Sequence, residues 1–109
     1  GDIFSFNNVY FATNKSDIRG TDRSELDNLV NILKEEPTMT LAIMGHTDLR
    51  GSVAFNDRLS KDRAESVRQY LIGRGISSTR LNVQSFGESL PVSEDLQQNR
   101  RVEFKVLTK

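Results

Sequence analysis

The chain has 109 residues, which is enough for one domain with a hydrophobic core. It contains no cysteine, which excludes disulfide scaffolds, thiolate zinc sites and cysteine nucleophiles. Fifteen basic residues balance fifteen acidic ones, and a net charge of zero argues against a protein that mainly binds nucleic-acid phosphates.

The first half of the sequence predicts two strands with a helix between them. Residues 8–11 and 39–45 have strand patterns, and both alternating sets of the second are mostly apolar, which is typical of a strand covered on both faces. Apolar residues at helical spacing predict the helix: Leu26, Leu29, Val30 and Leu33. We expect Thr21 or Asp22 to cap this helix and Pro37 to end it.

A second amphipathic helix is predicted from about Ser52 to Gly73. Its main apolar positions are separated by multiples of four residues: Phe55, Leu59, Val67 and Leu71. We expect Gly73 and Gly75 to supply a left-handed stop, after which Ile76 packs back as in a Schellman cap.

Two further strands complete the predicted fold. Residues 81–86 form a half-polar alternating pattern, and residues 102–107 place Val102, Phe104 and Val106 on one apolar face. Long crossover helices predict parallel neighbours among the first three strands, and the loop before the last strand favours antiparallel pairing. The predicted fold class is α/β (α+β), a two-layer sandwich with a mixed four-stranded sheet, helices on one face and the order β-α-β-α-β-β.

The densest polar segment, residues 45–52, lies between a buried strand and a helix and reads G-H-T-D-L-R-G-S. Ligands tend to bind beyond the carboxyl ends of strands in such folds. Asn56 and Arg63 are seven residues apart, so they share one face of the helix. An arginine on a mostly apolar face is unusual unless it is paired, and Asp48 is the nearest candidate partner in sequence. These residues alone leave open a purely structural ion pair that fastens loop to helix.

Several motifs occur in a recognisable order along the chain. The polar segment is followed by Phe55-Asn56, Leu59-Ser60, Arg63-Ala64, Phe86-Gly87-Glu88 and Asn99-Arg100-Arg101-Val102-Glu103. Over roughly residues 8–107 this string resembles the C-terminal OmpA-like domain of outer-membrane proteins, peptidoglycan-associated lipoproteins and flagellar stator proteins. The resemblance implies that residues 1–109 form a single domain. Because the chain opens without Met, we interpret it as a C-terminal fragment or processed form of a larger envelope protein.

The resemblance also implies a ligand, the diaminopimelate residue of the peptidoglycan stem peptide, bound without a covalent bond. Asp48 and Arg63 occupy the positions at which, in the family, an Asp and an Arg side chain bind the two ends of that amino-acid head group. A carboxylate and a planar guanidinium suit its ammonium and carboxylate groups. The resemblance and the local chemistry add further candidate site residues: Thr47, Asn56, Asn14 and Arg100.

Two departures from the family pattern are visible. Ala12 stands where the family usually has Asp, and Ser85-Phe86-Gly87 replaces the usual Gly-Tyr-Gly. Neither touches Asp48 or Arg63, so ligand binding remains the first expectation. The implied partners are peptidoglycan, the outer membrane through a segment outside this chain, and a second copy of the chain. The implied location is the periplasmic side of the outer membrane.

Two other classes of function remain open from the residues. A domain of this fold that had lost its ligand would only dimerise or dock a partner. A wall hydrolase would need a carboxylate pair at a cleft, and Asp48 and Glu88 are the only pair to nominate. His46 with Asp48 lacks the further ligands of a zinc site and lacks an oriented nucleophile. We therefore expect no enzyme activity, no metal and no cofactor.

Overall fold

The computed structural model describes residues 9–11, 16, 18–47, 53–85 and 101–108. In chain order these residues form β1 (Val9–Tyr10), α1 (Gly20–Glu35), β2 (Thr40–Gly45), α2 (Val53–Gly73), a short 3-10 helix (Ser78–Arg80), β3 (Leu81–Ser85) and β4 (Arg101–Thr108). The element order and the mixed four-stranded sheet confirm the predicted α+β fold class.

The strands of the sheet lie in the order β1-β4-β2-β3. β2 and β3 pair in parallel, as expected for strands joined by a crossover helix, and β4 pairs antiparallel with β2. The expectation that the first three strands are neighbours is wrong for β1, because β4 lies between β1 and β2 and pairs antiparallel with both. An antiparallel strand fits between two strands of the same direction, and the two-residue β1 suits a sheet edge better than its centre.

Both helices bury most of their predicted apolar positions in one core with the sheet, but the prediction is wrong for Phe55, which is 46% exposed in the first turn of α2. Leu29 and Leu33 of α1 and Val67 and Leu71 of α2 are buried in the same cluster as the strand residues. Ala42 points to the opposite sheet face and is also buried, which agrees with the prediction that β2 is covered on both faces. Burial of each such aliphatic side chain contributes about 1.5–3 kcal/mol.

The start of α1 differs from the prediction. The helix begins at Gly20 with Arg19 as the N-cap residue, so the expected cap at Thr21 or Asp22 is wrong. Asp22 instead lies in the first turn, where its carboxylate accepts a hydrogen bond of 3.1 Å from Arg19 Nε. A carboxylate in the first turn interacts favourably with the positive end of the helix dipole, so Asp22 stabilises this end without capping it.

The end of α2 confirms the predicted Schellman cap. The amide of Gly75 donates to the carbonyl of Ile72 at 3.0 Å, and the amide of Ile76 donates to the carbonyl of Leu71 at 3.1 Å. Gly75 has a φ of 100°, which is the left-handed region, whereas Gly73 is the last helical residue. Only the second of the two glycines therefore makes the stop.

Candidate functional site

The carboxyl end of β2 packs against α2 with no room for a side chain. A Cβ atom on Gly45 would lie 1.9 Å from the backbone oxygen of Ser60 and 3.3 Å from the Cβ of Ala64. Ser60 and Ala64 are small and fully buried, which permits this approach. The contact brings the next buried polar residue of the helix, Arg63, beside the residue that follows Gly45.

Arg63 is fully buried at this junction. One terminal guanidinium nitrogen donates to the backbone carbonyl of His46 at 3.0 Å, and the guanidinium carbon lies 5.3 Å from the centre of the Phe11 ring. A buried guanidinium is costly unless such hydrogen bonds and aromatic contacts replace its hydration. Arg63 thus joins α2 to the end of β2 and to the residue that follows β1.

Three of the predicted site residues are described, and all three are buried. Thr47 follows His46, and Asn56 lies two helical turns before Arg63; both are at most 2% exposed. The structure therefore brings Arg63 to the His46–Thr47 peptide at the mouth of β2, where the sequence predicted the site. Three further predicted residues, Asp48, Asn14 and Arg100, lie outside the described residues, and the pairing of Asp48 with Arg63 stays a prediction.

A second arginine lies on the other side of His46. The His46 amide donates to the carbonyl of Arg101 on β4 at 2.8 Å. The Arg101 side chain is buried, and its Nε donates to the carboxylate of Glu103. The other oxygen of that carboxylate lies 3.9 Å from His46 Nε2. We call His46, Arg101 and Glu103 the buried charge cluster.

The protonation state of His46 follows from this position. Burial lowers the pKa of His46 to about 4, with Arg101 acting in the same direction and Glu103 against it. The imidazole is therefore neutral at pH 7, and the positive charges at the junction are those of Arg63 and Arg101.

Sequence reasoning missed two features of this junction. It assigned Phe11 to a strand and gave it no contact with Arg63, because the pairing of a ring with a distant cation has no local pattern. It left open whether an arginine of the 99–101 segment reaches the ligand or pairs with acidic residues of neighbouring elements, and it did not identify Glu103 of the same strand as the partner of Arg101. Arg101 and Glu103 alternate on one strand with opposite charges, which was the available signal for their pairing.

Two features are absent from the described part of the chain. No group of three or more His, Asp or Glu side chains is placed to hold a metal ion there. None of the helices described is both long and apolar enough to cross a membrane.

Comparison with known proteins extends these observations. Outer membrane porin F of Pseudomonas aeruginosa is 35% identical over 104 residues, which cover 90% of this chain and 30% of the porin. The peptidoglycan-associated lipoprotein of Haemophilus influenzae is 36% identical over 86 residues, which cover 79% of this chain and 56% of the lipoprotein. The crystal structure of the peptidoglycan-associated lipoprotein from Burkholderia pseudomallei has a TM-score of 0.88 at 29% identity, covering 91% of this chain and 88% of that one.

The chain spans less than two thirds of the porin and of the Haemophilus lipoprotein. These relatives are outer-membrane or peptidoglycan-associated proteins, which is consistent with the expected location on the periplasmic side of the outer membrane. The sequence pattern of the OmpA family matches residues 10–104. This match covers most of the sequence and agrees with the motifs quoted above, and the chain therefore belongs to the OmpA family.

Proposed function

We propose that this domain binds peptidoglycan without a covalent bond and anchors an outer-membrane protein to the cell wall. The observation that carries the proposal is the buried Arg63, which donates to the His46 carbonyl at the mouth of β2, next to the buried Thr47. Relatives that are peptidoglycan-associated by name support it. In this proposal the residues form one domain of a larger chain, and another segment of that chain attaches it to the outer membrane. A second copy of the chain is a further proposed partner.

The proposed ligand is the diaminopimelate residue of the stem peptide. Its distal carbon carries an ammonium and a carboxylate, so a complementary site needs a carboxylate and a guanidinium a few ångströms apart. Arg63 donates to the ligand carboxylate, since its planar fork matches that group in two parallel hydrogen bonds. Asp48 accepts from the ligand ammonium. Polar neighbours complete the site in this proposal: Thr47, Asn56, Asn14 and Arg100.

This chemistry is binding without turnover. The proposed site uses charge complementarity alone, and it assigns no nucleophile, no metal-bound water and no pair of carboxylates to bond cleavage. Incubation with purified wall sacculi should therefore release no soluble muropeptides, while the protein sediments with the sacculi.

The described contacts of Arg63 are with the chain itself, so the test must separate a ligand role from a structural one. Arg63→Lys keeps the charge and loses the fork, and Arg58→Lys makes the same change at an exposed position of the same helix. We expect Arg63→Lys and Asp48→Ala to weaken binding of a diaminopimelate stem peptide by at least about tenfold, or about 1.4 kcal/mol. Arg58→Lys should bind like the parent chain.

Two readouts decide between the roles. Thermal unfolding shows whether each variant is folded at the assay temperature, and binding is compared only among folded variants. A stem peptide with lysine in place of diaminopimelate lacks the distal carboxylate, so it should bind weakly to the parent chain and equally weakly to Arg63→Lys. Unchanged diaminopimelate binding by folded Arg63→Lys would reject the site. Failure of the parent chain to bind sacculi would favour the ligand-free interaction domain.

A further inference from the structure

The backbone of His46 is held by hydrogen bonds on two sides. Its carbonyl accepts from Arg63 at 3.0 Å, and its amide donates to the Arg101 carbonyl at 2.8 Å. Residues alternate across a strand, so the continuation of β2 places the His46 side chain on the face opposite the helices, near Glu103 of β4. The two hydrogen bonds therefore come from different layers of the fold, one from helix α2 and one from strand β4.

Glu103 connects the side chains on this opposite face. One carboxylate oxygen accepts from Arg101 Nε, and the other lies 3.9 Å from His46 Nε2. Arg101 and His46 are both nearly inaccessible to solvent, whereas Glu103 is partly exposed. A buried guanidinium with a carboxylate partner has a fixed orientation, because moving it would leave the charge unsolvated. Because the carbonyl of the same Arg101 accepts from the His46 amide at 2.8 Å, the cluster holds the backbone of His46.

The orientation of His46 bears directly on Arg63. The carbonyl that Arg63 binds belongs to the His46–Thr47 peptide, so any movement of the His46 backbone shifts the acceptor of Arg63. The same peptide carries the amide of Thr47, the residue that precedes Asp48. A restraint applied at Glu103 thus reaches the proposed ligand site through His46 and the His46–Thr47 peptide group.

We propose that Glu103 is a positioning residue of the peptidoglycan site, which holds the His46–Thr47 peptide in place from the sheet face opposite Arg63. This inference rests on the proposed function. Glu103 touches no ligand in it. Its effect is to keep the Arg63 guanidinium and the backbone of Thr47 at a fixed separation, which a two-point ligand requires.

The test compares Glu103→Gln with Glu65→Gln in the otherwise intact chain. Glu65 is also partly exposed and also lies near an arginine, 3.8 Å from Arg68, but it belongs to α2 and not to the buried charge cluster. The probe is a soluble diaminopimelate stem peptide titrated at pH 7 by calorimetry. We expect Glu103→Gln to weaken binding at least about threefold and Glu65→Gln to leave it within about twofold, in line with couplings seen inside and outside a shared network.

Two further readouts exclude a merely structural effect. His46 is the only histidine, so its imidazole proton resonance can be followed in the intact chain, and Glu103→Gln should shift it while Glu65→Gln should not. In a double-mutant cycle with Arg63→Lys, the double variant should lose less affinity than the product of the two single losses. Glu103→Asp keeps the charge and replaces Glu103→Gln in both measurements if the latter is unfolded at the assay temperature.

The outcomes separate this inference from the proposed function. If Arg63→Lys weakens binding and folded Glu103→Gln binds like the parent chain, the positioning role is rejected and the site stands. If Arg63→Lys itself has no effect, the site and the positioning role are both rejected. Weaker binding by Glu103→Gln together with a shifted His46 resonance and non-additivity supports the role.

Discussion

Arginines bind backbone carbonyls at both ends of the sheet, but in different surroundings. At the amino end of β2, the half-buried Arg80 donates to the carbonyls of Leu33, Glu36 and Met39 at 2.7–2.9 Å. At the carboxyl end, the fully buried Arg63 donates to His46 and lies over an aromatic ring. The two arginines differ in the carbonyl groups that they bind.

Arg80 satisfies carbonyl groups that the end of α1 leaves without partners inside the helix. Its acceptors lie at the end of α1 and just before β2, so these hydrogen bonds of Arg80 have a structural role only. Arg63 instead restrains a peptide at the start of a polar loop. We therefore expect changes at the amino end to alter stability alone and changes at the carboxyl end to alter ligand binding as well.

The largest expected effect is at the carboxyl end. Gly45→Ala places a Cβ within 1.9 Å of the Ser60 backbone oxygen, so β2 and α2 must separate. We expect a loss of about 3 kcal/mol or more in the free energy of unfolding, since backbone cannot give way as a flexible side chain does. Chemical denaturation measures it. Gly20→Ala is the control, because nothing lies within 4 Å of its added Cβ.

The protonation of His46 should make stability depend on pH. Its pKa is lowered from 6.5 to about 4 in the folded chain, so the unfolded chain binds the proton more tightly. The stabilisation is fully present above about pH 6.5 and is lost as the pH falls towards about 4. We expect His46 to account for about 2 kcal/mol lost between pH 7 and pH 5.

The measurement has an internal check. The resonance of the only histidine reports its pKa in the folded chain directly, and urea unfolding at the two pH values reports the stability. Among the described residues, Arg63, Arg101 and Glu103 are charged residues that contact His46. A folded-state pKa near 6.5 would show that burial does not exclude the proton from His46.

At the amino end, Arg80→Ala should reduce stability by about 2 kcal/mol, because it removes charge-assisted hydrogen bonds to three backbone carbonyls at a half-buried position. Diaminopimelate peptide affinity, measured on the folded variant, should stay unchanged. A loss of affinity in the folded variant would show that the two ends of the sheet are coupled. That result would remove the distinction drawn between Arg80 and Arg63.

The smallest expected effect is also at the amino end of the sheet. Gly75→Ala introduces a side chain at a φ of 100°, although no backbone lies within 4 Å of the new Cβ. We expect a loss of about 1 kcal/mol in the free energy of unfolding from the backbone conformation alone. Gly73→Ala provides the matched control in thermal unfolding, because Gly73 is helical and its added Cβ has open space. A destabilisation by Gly73→Ala equal to that of Gly75→Ala would contradict the assignment of the stop.

Local patterns predicted the elements and their buried faces, because periodicity and turn chemistry are properties of neighbouring residues. Leu33 and Leu71 were placed in the core by spacing, and Ile76 by the glycine before it. The neighbours of β1 could not be read this way, since strand order depends on pairings between distant segments. The contact of Phe11 with Arg63 could not be predicted for the same reason, because these two residues are far apart in the sequence. The site was predicted from the motif, and the ligand roles of Asp48 and Arg63 both remain predictions.

The position of β4 between β1 and β2 has a consequence for the order of assembly. β1 pairs with β4, and its partners Val102 and Arg101 are more than ninety residues further along the chain. A nascent or translocating chain therefore has no partner in this sheet for its first strand until that last strand arrives. Such distant pairings slow folding, because a long loop must close before any contact forms. Truncation before residue 101 should leave β2 and β3 paired as a parallel half-sheet with an open edge.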